Sequence, residues 1–504
     1  MFRFRRAIGR IVALCCVWMS LFHPAAAASR PNVLFISIDD LNDWLGCLDG
    51  HPQAVTPNID RLAARGVVFT NAHCVAPACR PSRAALFSGM VPQRTNVWSN
   101  RSAALLDQHP DARVLPRVFQ QAGYSAVGCG KLIHQKSAGD VVFQDYFKPE
   151  QRWSPLTKSL AQYARDELPT KGSDHPRHVV QRLGHDPVVL PLNRMPSDRN
   201  RNKPAGESFD WGPFDVSDAE MGDTQITDWA IEQLQKHRDK PLFLGVGYYR
   251  PHIPLWAPAR YFERFNNVDV QLPPVREDDL SDLSAVAKRW AVESMTAGSH
   301  ATVARFGQWE EAVKSYLACV TFVDHQIGRL IRALDSGQFV DNTLIVLWSD
   351  HGWHLGEKQH WGKWTGWERS TRVPLVIVPP KNGKDAYAVA GSRCHQPVSL
   401  LDLFPTLTEA CGVAAPDKLD GASLLPLLQN PQRATDRAAV TFFDEGNVTV
   451  RTNRWRYIQY ADGTEELYDH ESDPNEWENV ANDRRFRTTL HDLRMRATTR
   501  SVIE

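Results

Sequence analysis

Past residue 30 the chain alternates short apolar runs with longer amphipathic stretches. Residues 33–38 (VLFISI), 124–129, 242–248, 343–348 (TLIVLW) and 373–378 are apolar runs of strand length, several rich in β-branched residues, and each predicts a buried strand. Helices are predicted over 56–65, 115–122, 224–237, 311–334 and 399–411. The first opens on Thr56 as N-cap with Pro57 behind it and stops at Gly66; the fourth ends before Gly337. This alternation predicts an α/β fold with a large mixed, mainly parallel sheet sandwiched by helices. Residues 150–215 are rich in Arg, His, Pro and Asp and lack periodicity, so they read as a long surface insertion. Beyond about residue 430 the texture shifts to short alternating strands at 439–443, 449–451 and 455–460. These predict a small C-terminal subdomain with an antiparallel sheet. The expected division is therefore a leader over 1–28, a large N-terminal domain over 29–430 and a subdomain over 431–504.

The leader follows from its own pattern. Arg3, Arg5, Arg6 and Arg10 precede an apolar run over 11–22, and the segment ends in Ala25–Ala28. A basic start, a short apolar stretch and an A-x-A end are the signature of a secretory signal peptide. The apolar run is too short to span a bilayer, so a stable membrane anchor is not expected. The mature protein is expected to be secreted or periplasmic.

Composition narrows the function classes. The 504 residues are 42% hydrophobic and 23% charged, with 58 Lys+Arg against 58 Asp+Glu. Disorder, collagen and coiled coil are excluded, and the balanced charge gives no sign of a broad nucleic-acid surface. Removing the leader takes four Arg and no acid, leaving 54 basic against 58 acidic residues, or −4. It also removes Cys15 and Cys16, leaving seven cysteines, an odd number that needs a reason in an oxidising compartment. None has zinc-type C-x-x-C spacing, and Cys129, in a predicted strand, reads as a reduced core residue.

Ligands in open α/β sheets bind beyond the carboxyl ends of the strands. Asp39 and Asp40 follow the first predicted strand. Lys131 and His134 follow the second, Arg250-Pro251-His252 the third, and Asp350-His351 the fourth. Three carboxylates suit a hard divalent cation, Ca²⁺ or Mg²⁺. A cation with Lys and His around it suits a tetrahedral oxyanion, which indicates sulfuryl or phosphoryl transfer. The candidate nucleophile is Cys79, in Cys79-Arg80-Pro81-Ser82-Arg83, just ahead of an apolar helical stretch whose N-terminus favours an anion.

At these residues the chain resembles the sulfatases, enzymes of the alkaline phosphatase superfold. C-x-P-S-R resembles their signature, in which the Cys is converted to formylglycine. IDDLNDWLGC (38–47), SDHGWHLGE (349–357) and LYDHESDPNEWENVA (467–481) extend the likeness over nearly all of residues 31–480. GYYRPHIPLWAP (247–258) and SDHGWHLGEKQHWGKW (349–364) are most similar to the iduronate-2-sulfatase branch, in which Asp-His replaces the Asp-Asn of many sulfatases.

The resemblance implies residue roles. Asp39, Asp40, Asp350 and His351 would hold one Ca²⁺ together with the oxygen of modified Cys79. Hydrated formylglycine is a gem-diol, so one hydroxyl attacks sulfur, its ionisation helped by Asp350 or the cation. Arg83, Lys131, His252 and Lys363 would neutralise the sulfate oxygens, and His252 or Lys363 would protonate the leaving sugar oxygen. His134 would accept the proton of the remaining hydroxyl as sulfate is expelled. Trp353, Trp364 and His360 are candidate substrate contacts; Trp256, His354 and Glu357 are weaker ones. The partners implied are a sulfated carbohydrate substrate and a formylglycine-generating enzyme. Two other readings stay open: a phosphomonoesterase or phosphodiesterase of the same superfold, and an inactive glycan-binding homologue that keeps Cys79 as a thiol.

Overall fold

The computed structural model describes residues 30–134, 138–149, 178–181, 187–190, 192–193, 195, 209–293, 298–382, 387 and 390–501. The expected leader over 1–28 and most of the insertion over 150–215 lie outside the described residues.

Eight strands form the central sheet: β1 (Asn32–Ile38), β2 (Val67–Phe69), β3 (Ser125–Gly130), β4 (Asp145–Phe147), β5 (Leu242–Tyr248), β6 (Thr343–Ser349), β7 (Leu375–Val378) and β8 (Ser392–Cys394). Their spatial order is β8-β2-β7-β6-β1-β5-β3-β4. All pairs are parallel except the two made by β7, which runs against its neighbours β6 and β2. The expectation of a mainly parallel sheet therefore holds, with β7 as its reversed member. Strands buried on both faces read as apolar runs in either direction, so hydropathy carries no sign of the reversal.

Successive side chains of a strand point to opposite faces, and β1 divides its residues accordingly. Leu34, Ile36 and Ile38 enter one core with Leu62 of α1 (Pro57–Ala63), Ile226 of α4 (Gly222–Gln235), and Leu317 and Val320 of α5 (Trp309–Asp335). Val33 and Phe35 enter the other. There they join Ala85 and Leu86 of α2 (Cys79–Ser88), Val118 and Phe119 of α3 (Leu115–Gln121), and Phe404 of α6 (Leu403–Ala410).

The chain's last part folds as predicted in type. Four antiparallel strands, β9 (Ala439–Phe442), β10 (Val448–Arg451), β11 (Trp455–Gln459) and β12 (Glu465–Asp469), form a separate sheet, followed by α7 (Arg487–Ser501). Val440, Phe442, Val450 and Leu467 share the second core, so this sheet packs on the body of the molecule. The seven cysteines among the described residues are unbridged, Cys129 among them. No helix among the described residues is long and apolar enough to cross a membrane.

The register delivers the site. Ile38 pairs with Ser349 on one side and Tyr248 on the other, and Gly130 pairs with Gly247. The residues that follow β1, β3, β5 and β6 therefore emerge at one end of the sheet. Gly130, at φ 74°, allows the close approach: a Cβ there would meet the Gly247 carbonyl oxygen at 1.9 Å.

Candidate active site

Cys79 is the first residue of α2 and is fully buried. The helix starts there because Ala78 is extended, and it stops where Gly89 turns left-handed. Ser82 and Arg83 then face the ends of β1 and β6. Ser82 Oγ donates to the Asp350 carbonyl at 2.6 Å, and Arg83 Nε donates to Asp350 Oδ2 at 2.8 Å.

Three carboxylates converge beside Cys79. Asp39 accepts from Lys131 Nζ and, at 3.2 Å, from Arg83 Nη2. Asp40, held at φ 60°, accepts from Lys363 Nζ at 2.6 Å through Oδ1, while its Oδ2 is buried with no hydrogen-bond partner. Asp350 Oδ1 accepts the Asp40 main-chain N–H at 3.2 Å. Cys79 Sγ lies 2.9 Å from Lys363 Nζ, 3.5 Å from Lys131 Nζ and 3.3 Å from His351 Nε2. His134 hydrogen-bonds the Cys79 side chain. His252 Nδ1 donates to the Ile253 carbonyl at 2.6 Å, which leaves Nε2 facing Asp40 Oδ2 at 3.8 Å and Asp39 Oδ2 at 4.0 Å.

The electrostatics follow from this crowding. Burial alone would push the Cys79 thiol up, but Lys131, Lys363 and His351 outweigh it and hold it well below the usual thiol value. Burial likewise opposes ionisation of Asp39, and Lys131 overcomes it, so that carboxyl lies below its ordinary range. Asp350 goes the other way: burial raises it to about 6 against the pull of Arg83 and His351. Burial lowers His134, which favours a neutral ring ready to take a proton.

The structure brings Asp39, Asp40, Cys79, Arg83, Lys131, His134, His252, Asp350, His351 and Lys363 to one place. It revises three expected roles. Arg83 was expected to neutralise sulfate, yet its guanidinium is buried and bonded to Asp350, Asp39, Ser37 Oγ and the Lys131 and Leu132 carbonyls. It orients the carboxylates instead. His360 was a candidate substrate contact, but it is fully buried, with one ring nitrogen 2.8 Å from the Ala291 carbonyl and the other 2.9 Å from that of Lys363. It holds the Lys363 loop. Trp353 is buried beneath Lys363, whose ammonium lies 5.6 Å from the ring centroid, so its ring has no open face for a sugar. Trp364, next to Lys363, is half-buried.

Sequence reasoning missed several supports. Tyr316 of α5 donates its hydroxyl to the Asp40 carbonyl at 2.8 Å and accepts the Asn42 N–H at 2.9 Å. Buried Asp223 of α4 accepts the N–H groups of Tyr249 and Arg250 at 2.8 and 2.9 Å, fixing the turn that carries His252. A Tyr on the apolar stripe of a long helix and an acid at a helix start were the only signals available.

A second charged group, Glu368, His470 and Glu476, also brings its ligand atoms within 4.8 Å. Arg456 lies between them, ion-paired to Glu368 and 2.7 Å from Glu476 Oε1 through Nε. Arg451 Nε meets Glu368 at 3.2 Å, and His470 Nε2 meets Glu476 at 3.0 Å. This group pins β10, β11 and the residues after β12 to the turn Glu368–Thr371.

Acids, Cys, His and Lys thus gather at the carboxyl ends of parallel strands, where α/β sheets bind their ligands. The family model described as Sulfatase matches residues 31–413, and that described as N-sulphoglucosamine sulphohydrolase, C-terminal, matches 356–501. A sulfatase of Formosa agariphila is 34% identical over 92% of this chain and 86% of its own. Iduronate 2-sulfatase of Mus musculus is 26% identical over 96% of each chain. A solved protein in complex with its substrate D-glucosamine-2-N,6-O-disulfate superposes with a TM-score of 0.67 at 22% identity, over 94% of this chain and 97% of that one, a likeness of fold. The chain belongs to the sulfatase family, whose members are sulfuric ester hydrolases.

Proposed function

We propose that this chain is an exported carbohydrate sulfatase that removes sulfate, in exo fashion, from a sulfated glycan, with an iduronate-2-sulfatase-like pocket. The observation that carries this reading is the approach of Lys131, Lys363 and His351 to Cys79 Sγ against three buried carboxylates. The likeness to iduronate 2-sulfatase along the whole chain supports a sugar substrate.

The donor set fits a hard divalent cation: Asp39, Asp40 and Asp350 are carboxylates, and Asp40 Oδ2 is buried without a partner. His351 completes the set, with the oxygen that replaces Cys79 Sγ. Calcium held there would supply positive charge to the sulfate oxygens. Formylglycine made from Cys79 by a formylglycine-generating enzyme would supply the attacking oxygen.

The chain's own side chains do the rest. Lys131 and Lys363 face residue 79 from two sides and neutralise charge growing on the sulfate oxygens. Arg83 fixes Asp39 and Asp350 at their bonding positions. His252 presents Nε2, the ring nitrogen not engaged by Ile253, to protonate the leaving oxygen of the sugar. His134 takes the proton from the side chain of residue 79. Half-buried Trp364, next to Lys363, is the candidate on which a sugar ring stacks.

Two measurements test this reading. Sulfate release should exceed phosphate release from the same aryl ester, and the reverse would establish a phosphoesterase. The peptide across Cys79 from exported, active protein should have the mass of formylglycine; an unmodified thiol throughout would overturn the mechanism.

A further inference from the structure

The donor atoms around residue 79 change chemical class with the state of that residue. As formylglycine it offers oxygen. As the cysteine present in the chain it offers sulfur, and the group then reads one thiolate, one imidazole and two carboxylates. Hard cations prefer all-oxygen ligation, whereas zinc-class cations take sulfur and nitrogen.

The geometry favours the second class when sulfur is present. The ligand atoms of Asp39, Cys79, Asp350 and His351 all lie within 4.8 Å of one another, and all four residues are buried. His351 Nε2 is 3.3 Å from Cys79 Sγ and 3.5 Å from Asp350 Oδ2. A tetrahedral site with bonds of about 2.0–2.3 Å has edges of about 3.3–3.7 Å, so these two separations are already those of a bound cation. The other ring nitrogen, Nδ1, is 3.0 Å from the Gly352 carbonyl. Donation there fixes the tautomer and turns the Nε2 lone pair toward sulfur, as an outer hydrogen bond does for a metal-ligating His. Lys363 Nζ now supplies positive charge to Sγ at 2.9 Å, and it keeps Asp40 Oδ1 at 2.6 Å if a cation takes over the sulfur.

We propose that the chain with Cys79 unconverted binds one zinc-class divalent cation through Cys79 Sγ, His351 Nε2 and the carboxylates of Asp39 and Asp350, the thiol proton passing to water. Loss of sulfur at residue 79 then switches the site to hard cations. The inference rests on reading these four residues as a metal-binding group, and not on the reaction catalysed.

The test uses Co²⁺ as probe on the metal-free, full-length chain carrying Cys79. The expected result is one Co²⁺ per chain, a sulfur-to-cobalt charge-transfer band, and loss of that band when Zn²⁺ is added. Cys79→Ser and Cys79→Ala should each remove the band, as should conversion of Cys79 to formylglycine. His351→Asn should weaken Co²⁺ binding by about tenfold or more. Absence of the band, or its survival in Cys79→Ser, overturns the inference. Because the readout is absorbance, a chain that gives the band as thiol yet hydrolyses no sulfate ester after conversion refutes only the proposed function. One that hydrolyses sulfate esters after conversion but gives no band as thiol refutes only this inference.

Discussion

Two of the buried charge clusters among the described residues are built on opposite terms. At the strand ends, Asp39 meets Lys131, Asp40 meets Lys363 and Asp350 is held by Arg83, and one carboxylate oxygen, Asp40 Oδ2, has no hydrogen-bond partner. At the junction with the C-terminal sheet, Glu368 and Glu476 are clamped by the planar guanidiniums of Arg451 and Arg456. Lysine offers a point charge that a ligand can share or displace, whereas an arginine fork fixes geometry. The first cluster is therefore open to an incoming anion or cation on its lysine side, opposite the Arg83 fork that holds Asp350, and the second is closed. The electrostatics of the first cluster are mixed, since, against burial, Lys131 holds Asp39 below its ordinary range. Burial pushes Asp350 up to about 6, while at the junction Arg451 and Arg456 overcome burial and hold Glu368 well below its usual value.

Mutations should separate the clusters by what each one loses. The largest effect is expected for Cys79→Ala, which should lower kcat/KM for a sulfate ester by at least about 10³-fold while thermal unfolding stays cooperative. Near-wild-type turnover would remove Cys79 from the chemistry. Next, Lys363→Ala should cost about 10²–10³-fold in kcat, since it removes one donor facing residue 79. A change confined to KM would mean that Lys363 only binds substrate.

The junction should behave in the opposite way. Glu368→Gln leaves Arg451 and Arg456 short of a buried partner and should destabilise the fold by about 3 kcal/mol, measured by denaturant unfolding, with turnover per folded molecule within about twofold of wild type. Loss of turnover without loss of stability would erase the distinction between the clusters. The smallest effect concerns Asp223. Burial raises its carboxyl from 3.8 to about 6, despite help from Arg250 and two N–H groups. The folded chain therefore holds a proton that the unfolded chain releases between about pH 4 and 6. That contribution to stability is full below pH 4 and is lost as pH rises to 6. Asp223→Asn should flatten this part of the stability–pH profile, and an unchanged slope would mean that Asp223 ionises at its ordinary value.

Much of the strand-end cluster was legible in the sequence, because apolar runs locate strands and a parallel sheet places its strand ends together. Asp39, Asp40, Lys131, His252 and Asp350 each follow such a run. Cys79 and Lys363 do not follow one of these runs; Cys79 was read from its helix start and motif, Lys363 from resemblance. What could not be read was how each side chain is engaged. Arg83, His360 and Trp353 lie beside the site, yet their polar atoms or ring faces are taken by Asp350, the Lys363 carbonyl and the Lys363 ammonium. The partner of Arg83 lies 267 positions away, and the other two depend on how the loop over residues 353–363 folds back on itself; neither leaves a local pattern. The short strands β2, β4 and β8 were missed for a related reason: three residues give too little periodicity to count. The fourth strand of the C-terminal sheet, Glu465–Asp469, was hidden by its polar residues, which pair with Arg454, Arg494, Tyr457 and Tyr460.

The pairing of β1 with β6 also sets an order of events. Asp40 and Asp350 are 310 positions apart and touch only because these two strands are neighbours. During synthesis the first half of the chain emerges with Asp39, Cys79 and Arg83 but without the carboxylate that Arg83 Nε binds. A nascent chain ending before β6 would have to bury that guanidinium without this partner, which is costly, so the central strand position stays vacant until the second half arrives. Any attempt to split this protein into two co-expressed pieces should therefore cut after residue 350, within a solvent-facing loop, rather than at the sequence midpoint.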